Sequence, residues 1–342
     1  MTTELLTQNE AARAAALIRA GGLVALPTET VYGLGANALN EEAVKRIFEV
    51  KGRPQDNPLI IHVAGAEALS EWCRDVPAAA YRLAELLWPG PLTMVLPCRT
   101  EGSPHIPARV TAGLNTVAVR CPDHPAFLET IRLAGVPIAA PSANLSGKPS
   151  TTSAAHCIHD LWGKVDAILD GGSCRVGVES TIVDMTVSPP RVLRPGGVTL
   201  ERLREILGEA ELDLGLVKPG ETPKAPGMKY RHYAPQAELR LVRCDTAECF
   251  YRYAASLPDA GTAILCWEGE EKRFGEKQVL CYGRENEPES MTAAVFDALR
   301  RLDSPEIQRI CVRCPQETGM GLALVNRLKK AAGGKMICLS SE

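Results

Sequence analysis

The chain has 342 residues, 38 Lys and Arg against 41 Asp and Glu, a formal net charge of −3, 45% apolar residues and 5% aromatic ones. That length holds about two domains, each able to bury its own core, and the composition excludes a disordered or collagen-like chain. No apolar run approaches the roughly 18 residues of a membrane span, no basic stretch opens a leader, and the balanced charge gives no general pull toward a polyanion. A cytoplasmic protein without a membrane partner is the expectation.

Elements follow from the apolar periodicity. Thr7-x-x-Glu10 reads as a capping box before a helix over Ala11–Arg19, with Gly21 as its stop. Leu23–Leu26 reads as a buried strand ending at Pro27. Glu41–Val50 is an amphipathic helix with Val44, Ile47 and Phe48 on one face. Further strands are expected over Leu59–Val63, Leu92–Leu96, Thr116–Arg120, Val136–Ala140, Val165–Leu169, Thr181–Met185 and Arg191–Leu193. Helices are expected over Ala78–Leu87, Pro125–Leu133, Ser153–Leu161 and Leu200–Leu207. Residues 1–208 therefore read as an α/β domain of mixed strand direction.

Residues 209–235 carry four prolines and three glycines and read as a linker. Beyond it, strands over Leu239–Val242, Thr262–Cys266, Val279–Tyr282, Ile310–Val312 and Met336–Leu339 alternate with helices near 246–256, 289–302 and 320–331. That alternation predicts a smaller, Rossmann-like α/β domain over residues 236–342. Of the twelve cysteines, seven fall in this last domain, mostly inside apolar runs, as buried reduced thiols do. A zinc site joining Cys311-Val-Arg-Cys314 with Cys244 and Cys249 is the lesser reading, since Cys311 lies in a strand and no His accompanies it.

The chemistry gathers in loops after strands. Pro27-Thr-Glu-Thr-Val-Tyr-Gly-Leu-Gly35 matches the loose dinucleotide pattern at Gly33-x-Gly35-x-x-Ala38, but a six-residue polar stretch separates the strand from the glycines, so the fingerprint does not apply. Its glycines either form a plain turn or shape a loop near a ligand. Lys51-Gly-Arg-Pro-Gln-Asp-Asn-Pro58 presents Lys51, Arg53 and Asn57 on a proline-stiffened loop, a point charge and a fork suited to polyphosphate. It is not a Walker A loop. His62 alternates out of an apolar strand, where a satisfied core histidine is commoner than a catalytic one. Ala140-Pro-Ser-Ala-Asn-Leu-Ser-Gly147 offers Ser142, Asn144 and loop N–H groups, either as an anion nest or as turn chemistry. Lys51, Arg53, Arg120, Lys148, Arg175 and Arg194 all lie in or beside such loops, so a locally basic cleft is expected in a neutral protein. The stretch Ala225-Pro-Gly-Met-Lys-Tyr-Arg-His-Tyr-Ala-Pro235 is too rich in aromatic and basic side chains for a spacer and is expected to fold over a site.

Together, the K-G-R-P-x-x-N-P-L, P-S-A-N-x-S-G and P-G-M-x-Y-x-H-Y-A-P runs make the chain resemble the threonylcarbamoyl-AMP synthases of the YrdC-like family. The likeness is to the long form, in which a twisted mixed-sheet YrdC-like domain is followed by a linker and a Rossmann-like domain. The resemblance implies synthesis of L-threonylcarbamoyladenylate and pyrophosphate from L-threonine, bicarbonate or CO2, and ATP. It further implies hand-over to a transferase complex that makes N6-threonylcarbamoyladenosine in tRNA, with at most weak tRNA contact by this chain.

In those terms Lys51 and Arg53 are the catalytic pair on the ATP phosphates, supported by Asn57. Thr30, His62, Arg120, Ser142 and Ser180 hold L-threonine. Thr116, Ala140, Asn144, Ser150, Arg194 and Tyr233 contact the nucleotide, with Tyr230 and His232 near Tyr233. Mg²⁺ accompanies ATP on its phosphates and water, with no protein metal site. Two alternatives stay open: a double-stranded RNA or tRNA-binding module without catalysis, and a carbamoyl-transferring relative with another acceptor.

Overall fold

The computed structural model describes the chain apart from residues 1, 101–103, 214, 216–220, 230–231 and 341–342. It divides into two compact units, Met1–Ser146 with Ser150–Tyr230, and Gly147–Pro149 with Arg231–Glu342. None of its described helices is long and apolar enough to cross a membrane.

The first unit is built on one eleven-stranded sheet. In chain order the strands are β1 (Glu4–Thr7), β2 (Val24–Leu26), β3 (Gly33–Asn37), β4 (Ile60–His62), β5 (Leu92–Pro97), β6 (Thr116–Arg120), β7 (Ile138–Ala139), β8 (Ala167–Asp170), β9 (Thr181–Asp184), β10 (Arg191–Arg194) and β11 (Glu211–Leu212). They lie in the order β1-β8-β2-β3-β7-β4-β6-β5-β9-β10-β11, with parallel and antiparallel neighbours mixed. The helices are α1 (Ala11–Arg19), α2 (Glu41–Lys51), α3 (Ala68–Trp72), α4 (Ala78–Leu87), α5 (Ala108–Thr111), α6 (Pro125–Ala134), α7 (Ala154–Leu161) and α8 (Leu200–Leu207).

Alternation along the strands sends successive side chains to opposite faces. One face, through Ala25, Ile61, Met94, Val119 and Val183, packs on α2, α4, α7 and α8. The other is covered at one end by α1 and α6, whose Ala14, Ile18, Phe127 and Ile131 meet Val24, Leu26, Ile138 and Leu169. Beyond α6 that second face turns polar, and the polar area is the candidate site.

Two sequence expectations change. Thr7 is not the cap of α1: Glu10 stands at that position, and its carboxylate accepts from the Thr7 N–H and hydroxyl at 2.8 and 2.9 Å. The glycines of the Pro27–Gly35 run form no turn but lie in β3, paired with β2 and β7. A Cβ on Gly35 would stand 2.7 Å from Leu26 Cδ1 and 2.9 Å from Ile138 Cγ2, so any larger residue there would have to displace buried side chains of both neighbouring strands.

The second unit holds a five-stranded, all-parallel sheet of β12 (Glu238–Cys244), β13 (Thr262–Cys266), β14 (Gln278–Cys281), β15 (Arg309–Arg313) and β16 (Ile337–Leu339), in the order β14-β13-β15-β12-β16. Helices α9 (Ala247–Ala255), α10 (Pro288–Arg301) and α11 (Met320–Ala331) connect them, giving the alternating α/β pattern expected of a Rossmann-like unit. All twelve cysteines are free thiols. Among the described residues no group of three or more His, Cys, Asp or Glu could hold a metal ion.

Candidate active site

Strand register assembles the site. His62 stands opposite Arg120 on β4 and β6, Arg120 opposite Thr93 on β5, Thr93 opposite Ile182 on β9, and Ile182 opposite Arg194 on β10. One cross-strand row thus runs over five adjacent strands, and register places its members on one face. Two residues further along the strands, Ile60, Ala118 and Val95 join Ile182 and Leu193 in an apolar floor beside the row. Ala225, fully buried, and Met228 from the linker pack on that floor.

Every polar member of the row is buried and partnered. Arg120 Nη2 donates to Glu29 Oε2 at 2.7 Å and to Thr30 Oγ1 at 2.9 Å, while its Nε reaches the Gly90 carbonyl at 3.3 Å. The Thr28 hydroxyl donates to the Val31 carbonyl at 2.7 Å, accepts from the Thr30 and Val31 N–H groups at 3.0 and 3.1 Å, and lies 2.8 Å from the Thr30 hydroxyl. His62 Nδ1 lies 3.3 Å from the Ile138 carbonyl, and its ring stacks on Phe127 at 5.2 Å between centroids. A carbonyl only accepts, so Nδ1 carries the hydrogen and the second ring nitrogen of the neutral imidazole is an acceptor. Burial, helped by the Arg120 charge, pushes the His62 pKa down to about 3.

At the other end, Arg194 donates from Nε and Nη2 to the Ser180 carbonyl at 3.1 and 2.9 Å, and from Nη2 to Ser180 Oγ at 3.1 Å. Ser180 Oγ also lies 2.8 Å from Thr93 Oγ1. A Cβ on Gly196 would come within 2.3 Å of the Glu179 carbonyl oxygen and 2.4 Å of the Ser180 carbonyl carbon, so glycine there lets the Ser180 backbone into the row.

The K-G-R-P loop leaves α2 through Gly52, whose φ of 60° closes the helix. Lys51, the last residue of α2, is buried, and its ammonium donates to the Ser142 carbonyl at 2.6 Å and to the Asn144 carbonyl. Two motifs some 90 residues apart are thereby joined, with a cation at the negative end of a helix. Arg53 folds over its own loop, donating to the Asn57 and Pro58 carbonyls at 3.2 and 2.9 Å. The Asn57 side-chain amide is buried with no hydrogen-bond partner among the described residues. Ser142 Oγ donates to Asn144 Oδ1 at 2.5 Å, and Ser150 Oγ to Glu179 Oε1 at 2.5 Å. Thr116 opens β6 half-buried, and the buried Ala140 gives its N–H to the Ile60 carbonyl at 3.0 Å.

The linker up to residue 229 belongs to the first unit. Lys229 pairs with Asp56 at 2.6 Å, Lys224 with Asp184 at 2.8 Å, and Arg194 Nη1 reaches the Pro226 carbonyl at 3.5 Å. Tyr233 belongs to the second unit, where it is buried at a φ of 65°, stacked on Phe296 and faced by the Arg327 guanidinium. Tyr230 lies outside the described residues. Of the other cations singled out in the sequence, Arg175 sits on the surface with Asp123, and Lys148 belongs to the second unit.

Glu29, Thr93 and Glu179 contact the candidate residues Arg120, Ser180 and Ser150, and the sequence reading passed over them. Glu29 lies inside the Pro27–Gly35 run and Glu179 inside the glycine-rich approach Gly171–Thr181 to a strand, both runs that the sequence marks without marking these carboxylates. Thr93 carries no local signal, because its partner is 87 residues away.

The chain is thus a two-unit α/β protein: a mixed-sheet unit with Arg120 and Arg194 in one buried row and a proline-stiffened basic loop, followed in the chain by a parallel α/β unit. Residues 16–196 match the model of the Sua5, YciO and YrdC proteins, described as telomere recombination, and residues 198–333 match that of the threonylcarbamoyl-AMP synthase C-terminal domain. The chain is 46% identical over 341 residues to the threonylcarbamoyl-AMP synthase of Bacillus subtilis, covering 98% of this chain and 97% of that one. It is 47% identical over 329 residues to the synthase of Pyrococcus abyssi, covering 95% and 94%. The crystal structure of Pyrococcus abyssi Sua5 complexed with L-threonine superposes with a TM-score of 0.91 at 44% identity, covering 99% of this chain and 100% of that one. The chain belongs to the threonylcarbamoyl-AMP synthase family, and with it to the transferases that form an adenylate.

Proposed function

We propose that the chain makes L-threonylcarbamoyl-AMP and pyrophosphate from L-threonine, bicarbonate or CO2, and ATP, as the first step of N6-threonylcarbamoyladenosine formation in tRNA. The buried row carries the reading. It sets Arg120 and Arg194 on one sheet face with a histidine held neutral, and so offers donors for a carboxylate and an acceptor for an amine or hydroxyl. The Bacillus and Pyrococcus relatives, both threonylcarbamoyl-AMP synthases by name, and the L-threonine in the Pyrococcus structure support the same assignment.

The chemistry needs positioning and charge stabilisation more than a nucleophilic side chain. The neutral threonine amine attacks CO2, giving a carbamate and releasing a proton. A carbamate oxygen then attacks the α-phosphorus, and pyrophosphate departs with the electrons of the broken P–O bond. In this reading Arg120, Thr30, Ser180 and Ser142 orient threonine, and the acceptor nitrogen of His62 takes a hydrogen bond from it. Lys51 and Arg53, with Asn57 and Asn144, stabilise the phosphates, while Thr116, Ala140, Ser150 and Arg194 hold the nucleotide. Tyr233 as a nucleotide contact rests on the family resemblance alone. Mg²⁺ would travel on the ATP phosphates and water and lend charge neutralisation there; the described residues offer it no cluster of ligands. Residues 221–229, anchored on Asp56, Asp184 and the apolar floor, act as a cover over the row.

The decisive assay is pyrophosphate release from ATP, which is expected only with both L-threonine and bicarbonate present. ATP turnover indifferent to threonine would overturn the proposal. A panel of other amino acids in the same assay tests the acceptor.

A further inference from the structure

Thr93 lies in the middle of the row, fully buried, in register with Arg120 and in contact with Ser180. Its hydroxyl has one hydrogen-bond partner among the described residues, Ser180 Oγ at 2.8 Å. Ser180 Oγ in turn accepts from Arg194 Nη2 at 3.1 Å. The two hydroxyls own two hydrogens, and one contact between them uses only one. A single O–H hydrogen is therefore left over by the pair, in a buried place where an unsatisfied donor is costly.

If Ser180 donates to Thr93, the spare hydrogen sits on Thr93. If Thr93 donates to Ser180, both acceptor positions of Ser180 Oγ are filled, by Thr93 and by Arg194, and the Ser180 hydrogen must point to something else. We propose that Thr93 is a positioning residue for the reaction: it donates to Ser180 Oγ and so fixes the Ser180 hydroxyl as a donor to the carboxylate of the amino-acid substrate. This inference rests on the reading above, in which Ser180 touches that substrate. The chemistry fits, since an acceptor-only carboxylate is the group that a leftover O–H between two arginines can serve.

The test uses the pyrophosphate assay with the full chain. Thr93→Val keeps the shape and removes the hydroxyl, so KM for L-threonine should rise about tenfold, the size of one lost hydrogen bond, with KM for ATP unchanged. Thr93→Ser should restore the wild-type KM. In a double-mutant cycle with Ser180→Ala, adding Thr93→Val should raise KM no further, because the group it positions is gone. A Thr93→Val enzyme with normal KM for threonine, a Thr93→Ser enzyme as impaired as Thr93→Val, or additive effects in the cycle would each overturn the inference. Should Thr93→Val fail to fold, Thr93→Ala enters the same cycle and decides it by the same criterion. Failure of the underlying reading looks different: Ser180→Ala alone would leave KM for threonine unchanged.

Discussion

His62 and Arg120 stand opposite each other on neighbouring parallel strands, so a titratable ring is buried beside a permanent cation. Burial first, and the guanidinium second, drive the His62 pKa to about 3. In the unfolded chain the same ring titrates near 6.5. Between those values the unfolded state binds the extra proton, so stability rises with pH across this window and is lost as the solution is acidified from about 6.5 toward 3. His62→Gln should flatten that dependence by up to ~1.4 kcal/mol per pH unit, read as the difference between wild-type and variant urea midpoints at stepped pH. Equal slopes in the two proteins would refute the buried neutral ring.

Arg120 also makes the ion pair with Glu29, and both side chains are nearly fully buried. Removing one partner strands a charge without water, at a cost of about 3–5 kcal/mol, whereas replacing both by apolar groups avoids the stranded charge. Glu29→Gln and Arg120→Met are each expected to lower stability by about 3 kcal/mol. The double variant should lose clearly less than the sum of the two. Denaturant unfolding of the four proteins measures the coupling, and additive losses would show that the pair is not one electrostatic unit.

Lys51 and Arg53 are two residues apart but differ in what they hold. Lys51 ties the end of α2 to the Ser142–Asn144 loop, while Arg53 caps two carbonyls of its own loop. Either change to Ala should slow pyrophosphate release by about 10²–10³, if each cation stabilises the phosphates in the transition state. Lys51→Ala should also lower the unfolding midpoint more than Arg53→Ala does. The Lys51 side chain is itself buried, so its loss opens a cavity as well as leaving the Ser142 and Asn144 carbonyls without their donor, whereas Arg53 is half-buried and water can replace it. Near-normal rates in both variants would remove them from the phosphate site.

How far the sequence foretold this arrangement depends on the range of the interactions. The strand over Thr116–Arg120 and the helices over Ala11–Arg19, Ala78–Leu87 and Leu200–Leu207 were legible to the residue, because their apolar periodicity is local. β3 was not: Gly33-Leu-Gly-Ala-Asn37 has little strand propensity, and its glycines answer to Leu26, Ile138 and Ala140 packed against them. Nor could the strand order be read, since β1 pairs with β8 some 160 residues later. In the site, the basic K-G-R-P loop announced itself by composition. Thr93 looked like one more residue of an apolar strand, and only the register that sets it between Arg120 and Ile182 gives it a role.

Gly196 illustrates how such a long-range demand can be tested at a residue with no polar group at all. Its φ is not in the left-handed region, so alanine is conformationally allowed; the obstacle is steric, with backbone of Glu179, Ser180 and Thr181 within 2.4 Å of the new Cβ. Backbone cannot rotate away as a side chain can, so Gly196→Ala should push Ser180 out of the row and cost about 1–3 kcal/mol by overpacking. The expected kinetic signature is a raised KM for L-threonine. Gly208→Ala is the matched control: Gly208 ends α8 at a φ of 81° with no atom within 4 Å of the Cβ that alanine would add, so it should lose about 1 kcal/mol through backbone strain alone and leave the kinetics untouched. If Gly196→Ala and Gly208→Ala behave alike in the pyrophosphate assay, the close approach at Gly196 does not position Ser180.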